Sequence, residues 1–600
     1  MSIKRLKVAA DFETTTDPND LRVWASCAVD IDTLKPVHIG NDIESFFEWL
    51  KNKNTVCYFH NLKFDGEFIL SYLLKKGYRQ SNSKEPGTFS TLITDMGAWY
   101  SITVIFEKKK KKYKKVVFYD SLKKLPFKVA QIAKAFHLKD EKLSIDYKAD
   151  RPVGHELTDE ERAYIISDCR IVAAALKIQL EKGLKKMTIS SDALNGYKDT
   201  IGKDIFAKWF PVLPYELDTD IRRAYRGGYV YLKPEHRNRR GLVGMTFDVN
   251  SLYPSVMYDC TLPYGYPIYF EGDPDPDERY NLFIVRLRCG FDVKPGHLPT
   301  IQLKNNRRFI ETEYLTSSEG EVIEMTLTSV DLALFLDHYD VYDLKYIKGW
   351  KFKGVKGLFK EYIDYWSEVK ATSKGAMRQL AKLMLNSLYG RFATAPMSNT
   401  KFSYMDELGV VRHVVNTPSN RKLYGVKDDV DEDELRDPVY TAMSVFITAY
   451  ARDKTIRSGQ AVYDRFIYAD TDSLHIIGHE TPDGLDVHPT RLGAWKNEGS
   501  FTDSKYIRAK TYMETVHEEL TPSLKVYVSV LMDSKIERAE HIDGVLHTWS
   551  TKVTCAGMPD NVKELVTYDN FQSGSTFDGK LVPRRYPGGV ILTETTFTIK

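Results

Sequence analysis

The sequence predicts a multidomain protein of α/β and α+β class, and three observations carry that expectation. A chain of 600 residues holds several domains at roughly 100–200 residues each. Residues 1–188 alternate short apolar runs with helical stretches, the pattern of an α/β block. Beyond residue 188 the pattern changes several times, with helical, strand-rich and turn-rich stretches following one another.

The elements follow in order. LKVAADFETTT, beginning at Leu6, reads as a strand that ends in Asp11-x-Glu13. The apolar run 55–59 reads as a second strand, after which Asp65 opens an amphipathic helix through Phe68, Ile69, Tyr72 and Leu73. Thr158-x-x-Glu161 is a capping box ahead of an apolar-periodic helix. The Tyr-Arg-Gly-Gly stretch at 225–228 is a turn between blocks. Residues 189–259 lead into an inserted mixed domain of short strands over 260–357, followed by a helical unit at 358–393. Residues 394–440 are polar and turn-rich, a hairpin or loop insertion. Strand-like patterning returns over 441–530, and the tail from about 543 reads as short strands and turns.

Composition narrows the class. The net charge is only +3, which conceals a basic run KKKKKYKK at 108–115 and an acidic run DDVDEDE at 428–434. Such blocks read as solvated loops, and the basic one also as a phosphate contact. The 37 tyrosines suit base stacking or an aromatic core equally. Six cysteines form no C-x-x-C pair, which points away from zinc sites and disulfide frameworks and fits a reducing cytoplasm. No apolar run reaches the roughly 18 residues that a membrane helix requires.

Two constellations carry chemistry. In the first, Asp11 and Glu13 lie two apart on a strand and face one side. Tyr164 and Asp168 lie four apart on a helix and share a face. With Asp65 they make four carboxylates in one α/β block, whose mutual repulsion calls for cations. Oxygen-rich sites suit Mg²⁺ or Mn²⁺, and a pair of such ions suits phosphodiester cleavage. Tyr164 is placed to orient a water, and His60 and Asn61 to hold the end of a strand. Each piece alone reads more simply: a solvated strand end, a helix cap, a surface pair. Their ordered occurrence is what points to a site.

In the second, GMTFDVNSLYPSVM reads as a strand ending at Asp248, followed by a turn and helix start through Ser251, Leu252 and Tyr253. FIYADTDSLHII reads as two strands with Asp470-Thr471-Asp472 at their turn. One carboxylate from each, side by side in a sheet, makes a second two-metal site, suited to activating a hydroxyl and holding a triphosphate. Between them, GAMRQLAKLMLNSLYGRF fits one helix. At about 100° per residue, Arg378, Lys382, Asn386 and Tyr389 share one face, and Met377, Leu380, Met384 and Leu388 the other. A triphosphate beside Arg378 and Lys382 would place its base near Asn386 and Tyr389, with Lys370 a third phosphate ligand. A basic amphipathic helix with a solvated face is the plainer alternative. A Tyr253 ring beneath the sugar would clash with a 2′-hydroxyl and select deoxynucleotides. Lys510 and Tyr512, two apart on a strand, would grip a primer end.

Taken together these segments resemble a known family. DFET, HNLKFD and YIISD look like the three exonuclease motifs of family B DNA polymerases, and DVNSLYP, KLMLNSLYG and YADTDS like their polymerase motifs. Within the family the chain is most similar to the protein-primed branch, and the similarity runs nearly its whole length. The resemblance implies a ribonuclease-H-like 3′–5′ exonuclease domain at 1–188. A right-hand polymerase would follow, with palm at 189–259 and 441–542, fingers at 358–393 and thumb at 543–600. The insertion 260–357 would contact a terminal protein that serves as primer, and 394–440 would confer processivity and strand displacement. Asp11, Glu13, Asp65 and Asp168 would bind the exonuclease metals, with Tyr164 and Lys142 assisting. Tyr58, His60, Asn61, Phe64, Ser121, Leu122 and Tyr147 match single-strand contacts. Asp248 and Asp472 match the polymerase metal ligands, with Asp470 supporting, two Mg²⁺ or Mn²⁺ ions per site. Tyr253 and Tyr389 match nucleotide-pocket tyrosines, and Lys370, Arg378 and Lys382 triphosphate ligands. Tyr225, Gly227 and Gly228 match a turn that shares DNA between the sites, and Lys510 and Tyr512 a primer-stabilising pair. Template-primer and single-stranded DNA, deoxynucleoside triphosphates and a terminal protein would be the partners of a monomer in the cytoplasm of an infected bacterium. Ala469 stands where the family often has cysteine, and Arg391 where it often has lysine. A nuclease with an inert scaffold and a non-catalytic DNA-binding factor are the alternatives, both disfavoured by intact acids in each constellation.

Overall fold

The computed structural model describes residues 5–109, 112–147, 149–302, 314–396, 399–424, 438–533 and 535–600. The acidic run 428–434 and Lys110–Lys111 of the basic run lie outside the described residues.

Two eight-stranded sheets organise the chain. In the first, the strand Leu6–Thr14 runs parallel to Thr55–Phe59, which runs parallel to Lys112–Asp120. The remaining named pairings of the sheet are mostly antiparallel hairpins at its two flanks. The helix Asp159–Glu181 packs on the strands Leu6–Thr14 and Val23–Asp30. Its capping box is formed, Thr158 Oγ accepting from the Glu161 amide and Glu161 from the Thr158 amide. The helix Leu62–Lys75 is not amphipathic as expected: residues 65–73 are all buried. Its outer side is covered by the hairpin Lys401–Met405/Val411–Val415 and by the strand Gly589–Thr598, partners far off in sequence.

The second sheet is antiparallel. In it Gly244–Val249 lies between Ser473–Ile477 and Trp495–Arg508. Thr511–Leu520 and the hairpin Arg538–Ile542/Val545–Cys555 extend it on one side, and Phe466–Asp470 and Val230–Leu232 on the other. The turn at 543 therefore sits within this sheet, and the C-terminal unit after Cys555 packs Met558, Val562, Phe571, Phe577 and Phe597 against Ile507 and Met513 of the sheet in one core.

Residues 441–530 are not strand-like throughout. Thr441–Ala461 is a 21-residue helix, and Leu524–Met532 is helical too. The first of these is buried on nearly all sides, so no apolar stripe marks its period, and its Val, Ile and Thr mimic a strand. The 260–357 insertion is a four-stranded sheet with the helix Ser329–His338. The insertion's strands are mixed in length, from Tyr339–Val355 of 17 residues to Ile301–Gln302 and Tyr314–Leu315 of 2 each, rather than all short. Lys360–Thr372 and Gly375–Phe392 form the helical unit. The hairpin expected within 394–440 is present and docks on the first sheet through a Thr94–Thr400 bridge.

Candidate active sites

The first carboxylate cluster sits where the strand Leu6–Thr14 leaves its parallel pairing with Thr55–Phe59, so Asp11 and Glu13 project beside the first turn of the helix Leu62–Lys75. Burial and the neighbouring Asp168 raise Asp11 to about 7. Burial, then Asp11 and Asp168, push Glu13 well above its ordinary value. Burial and Asp11 do the same to Asp65. Each acid feels another, so the four converge as the motif spacing predicts. Asp65 Oδ1 and Asp168 Oδ1 are buried with no hydrogen-bond partner among the described residues. Anionic oxygens left bare in a low-dielectric pocket fit divalent cations.

Lys142 Nζ bonds Asp168 and lies 3.4 Å from the Tyr164 hydroxyl. That hydroxyl pairs with the Tyr147 hydroxyl at 2.5 Å. Tyr164 is 2% exposed while Tyr147 is 52% exposed, so Tyr147 is the pocket's outer wall. Asn61 is exposed in a left-handed conformation (φ 74°), held by its amide on Asp120 Oδ1 at 3.2 Å. Phe64 and Leu122 are half-buried beside it. Tyr58, His60 and Ser121 are instead committed within the protein. The Tyr58 ring packs in the core beside Tyr119, its hydroxyl pushed up to about 12 by burial. His60 spends Nδ1 on Ser121 Oγ at 2.9 Å and Nε2 on the Phe127 carbonyl at 2.7 Å. Ser121 itself is fully buried. The side chains of His60 and Ser121 thus hold each other, and Tyr58 lies in the core behind them.

The second cluster lies on the central sheet. Asp248 is paired opposite Ser473, one residue from Asp472, and the Val249 amide donates to the Asp472 carbonyl at 2.8 Å. Burial, then the charges of Asp472 and Glu498, raise Asp248 to about 7. Burial also raises Asp472. Asp470 is held by Lys510 Nζ at 2.7 and 2.8 Å and by the Tyr468 hydroxyl at 3.2 Å. Lys510 is not on a strand: it occupies a left-handed turn position (φ 57°) between Trp495–Arg508 and Thr511–Leu520. Tyr512 packs on Tyr468, whose hydroxyl accepts from the Lys510 amide at 2.9 Å, and on Tyr506.

Above this cluster, Tyr253 and Tyr389 stack with centroids 3.9 Å apart and planes 17° apart. On the helix Gly375–Phe392, Arg378, Lys382 and Asn386 are exposed while Leu380, Met384 and Leu388 are buried, as the helical wheel predicts. Lys370 Nζ reaches Ser251 Oγ at 3.1 Å, and burial, then Lys382 and Arg378, lower its pKa. The three cations thus gather together, with Lys370 reaching the turn that follows Asp248.

The turn at 225–228 joins this site directly. A Cβ on Gly228 would lie 2.6 Å from Thr471 Oγ1, and the Thr471 amide donates to the Tyr229 carbonyl at 2.6 Å. Gly227, by contrast, has open space where a side chain would go. Tyr225 is half-buried, its hydroxyl raised by burial and by Tyr389.

Sequence reasoning missed two supporting groups. Arg452 is 1% exposed, ion-pairs with Asp331 at 2.7 Å, and donates to the carbonyls of Arg226 and Gly227. Glu514 accepts from the Tyr506 hydroxyl at 2.5 Å and lies 2.6 Å from His475 Nδ1, bracing the strand beneath Asp472. Neither has a local motif, although His475 and Glu514 do flank the DTD and KTY segments.

Residues 48–488 match the family model for DNA polymerase type B, organellar and viral. The chain is 45% identical to the DNA polymerases of Bacillus phages B103 and phi29, over 99% of its own length and 100% and 99% of theirs. It is 34% identical to that of Streptococcus phage Cp-1, over 99% and 98%. Phi29 DNA polymerase complexed with primer-template DNA superposes with a TM-score of 0.90 at 44% identity, covering 99% of this chain and all of that one. The ternary complex of the same polymerase with incoming nucleotides gives 0.89 over the same coverage. The multidomain fold, an exonuclease domain joined to a palm, fingers and thumb, is therefore that of phi29 DNA polymerase. The chain belongs to the type B DNA polymerases of organelles and viruses, and is a DNA-directed DNA polymerase.

Proposed function

We propose that the protein is a protein-primed, strand-displacing polymerase that replicates a linear viral genome and proofreads with a 3′–5′ exonuclease. The observation that carries this reading is the pair of separate acid clusters on separate sheets, each with carboxylates raised by burial and by one another. Asp11, Glu13, Asp65 and Asp168 would hold one pair of divalent ions, and Asp248 and Asp472 the other, Mg²⁺ or Mn²⁺ in each case. Bound there, such ions supply charge neutralisation and a more acidic attacking hydroxyl or water.

The chain's own residues do the rest. Arg378, Lys382 and Lys370 grip the triphosphate of an incoming deoxynucleotide, and Asn386 lines the same face. The Tyr253–Tyr389 stack closes the floor of its sugar pocket. Lys510 keeps Asp470 from competing with its neighbours and presents its chain to the primer end with Tyr512. In the first site Tyr164, tied to Tyr147 and Lys142, orients the attacking water. Asn61, Phe64, Leu122 and Tyr147 hold the strand to be cut. The 225–228 turn, seated on Thr471, passes the primer between the sites.

Phi29 DNA polymerase is seen with primer-template DNA, with single-stranded DNA and with incoming nucleotides, which supports the same three ligands here. The insertion 260–357 would receive a terminal protein, and 394–440 would close round the template. A monomer in the cytoplasm of an infected bacterium fits relatives that come from Bacillus phages; among the described residues no helix is long and apolar enough to cross a membrane. The test separates the two sites. Asp248→Asn or Asp472→Asn abolishes synthesis and leaves single-strand degradation, and Asp11→Ala with Glu13→Ala does the reverse. Loss of both activities from either change in a folded protein would refute two independent centres.

A further inference from the structure

Two and three strands away from Gly244–Val249 in the second sheet, the strands Thr511–Leu520 and Val545–Cys555 bring together His517, Glu519 and His547. His517 and Glu519 lie two apart and face one side of the sheet. His547 is the cross-strand partner of Glu519. One ligand atom from each of the three lies within 4.8 Å of the others, the one such group among the described residues. His517 Nε2 and His547 Nδ1 are 2.9 Å apart in rings whose planes differ by 10°. Trp549, beside both, forms an apolar flank on the same face. Both histidines are half-buried and Glu519 is exposed, so three protein donors face a side open to water.

We propose that His517, Glu519 and His547 form a binding site for a borderline transition-metal ion of the Zn²⁺ class, separate from the carboxylate centres. Imidazole selects such ions over Mg²⁺, which takes oxygen. Bonds of about 2.0–2.1 Å to both nitrogens require the present hydrogen bond to open slightly and the rings to tilt. Metal binding takes up the neutral form of each imidazole. No proton need leave. The shared N–H moves to an outer nitrogen, and His517 Nδ1 then meets Ser500 Oγ, 3.4 Å away, which accepts it. A hydroxyl there fixes the ring as outer partners of metal ligands do. Water completes the coordination. The ion staples two neighbouring strands of the sheet whose middle carries Asp248, and its role is structural.

The experiment uses the untagged full chain in millimolar Mg²⁺, titrated with Cu²⁺ and followed by electron paramagnetic resonance. Nitrogen hyperfine coupling reports imidazole, which neither acid cluster supplies. The expected result is one Cu²⁺ per chain coupled to two nitrogens. The apparent Kd should rise at least about tenfold in His517→Gln/His547→Gln, with Mg²⁺-dependent primer extension unchanged. Zn²⁺ should raise the melting temperature of the parent and not of this variant. Glu519→Gln, which leaves the histidine pair intact, should weaken binding while keeping both nitrogen couplings. Absent nitrogen coupling in the parent, or an unchanged spectrum and affinity in the double variant, would overturn the proposal.

Discussion

Gly228 shows how one missing side chain positions a catalytic turn. Its Cα faces Thr471 so closely that a methyl group would sit 2.6 Å from the hydroxyl oxygen, and Thr471 separates Asp470 from Asp472. Gly228→Ala should push that turn back and cut nucleotide addition about 100-fold, the scale expected for a displacement near 1 Å, while single-strand degradation persists. Gly227→Ala should do little, and steady-state extension of a short primer compares the two. The buried acids make a second prediction at this scale. Asp11 titrates near 7 in the metal-free fold but near 4 in the unfolded chain. Between those values the fold binds the extra proton, so this contribution is full below about pH 4 and is lost as pH rises through about 7. In EDTA, thermal melts of the parent should therefore decline from mildly acidic to neutral pH more steeply than those of Asp11→Asn, and saturating Mg²⁺ should close the gap. The acids themselves are legible in the sequence because strand and helix spacing fixes which carboxylates share a face. The partners of Tyr58 and His60 are not legible, because the ring of Tyr119 and the Phe127 carbonyl lie about 60 residues away, which no local pattern encodes.

The helix Gly375–Phe392 and the helix Thr441–Ala461 mark what an element's own sequence can tell. The first has one wet face and one dry face, so its 3.6-residue period survives in the sequence and spacing alone places its cations on one side. The second has almost no wet face, and burial on every side erases the period. Its Arg452 and Ser444 serve other elements: one holds the 225–228 turn, the other caps the Tyr389 carbonyl at 2.6 Å. Lys382→Ala should raise the KM for nucleotides about tenfold, the loss of one charge-assisted contact, and leave exonuclease rates unchanged in a single-strand assay. Arg452→Met should damage synthesis and folding together, because Asp331 would be left as an uncompensated buried charge.

At the scale of the molecule, Glu67 ties three regions together. It is 2% exposed, lies 3.0 Å from His413 Nε2 of the 401–415 hairpin and accepts from Arg585 Nε of the 576–598 hairpin at 2.7 Å. The alliance closes the 401–415 hairpin and the 576–598 hairpin over the helix Leu62–Lys75. On a primed single-stranded circle, with no other protein, the parent should make products many times the circle's length. Glu67→Ala should shorten them while single-nucleotide addition holds, and gel analysis of rolling-circle products reads both. The strands that carry the acids are visible in the sequence, but this closure is not, since its partners stand 346 and 518 residues from Glu67. The same closure governs how the chain comes to be folded. Gly589 approaches Phe68 so closely that a Cβ there would lie 2.4 Å from the ring, so the helix Leu62–Lys75 receives its outer cover from segments the ribosome makes hundreds of residues later. A nascent chain must carry that apolar flank bare through most of its synthesis. A gene cut after residue 188 would leave it bare for good, so residues 1–188 should prove insoluble alone and be rescued by supplying the remainder of the chain in trans.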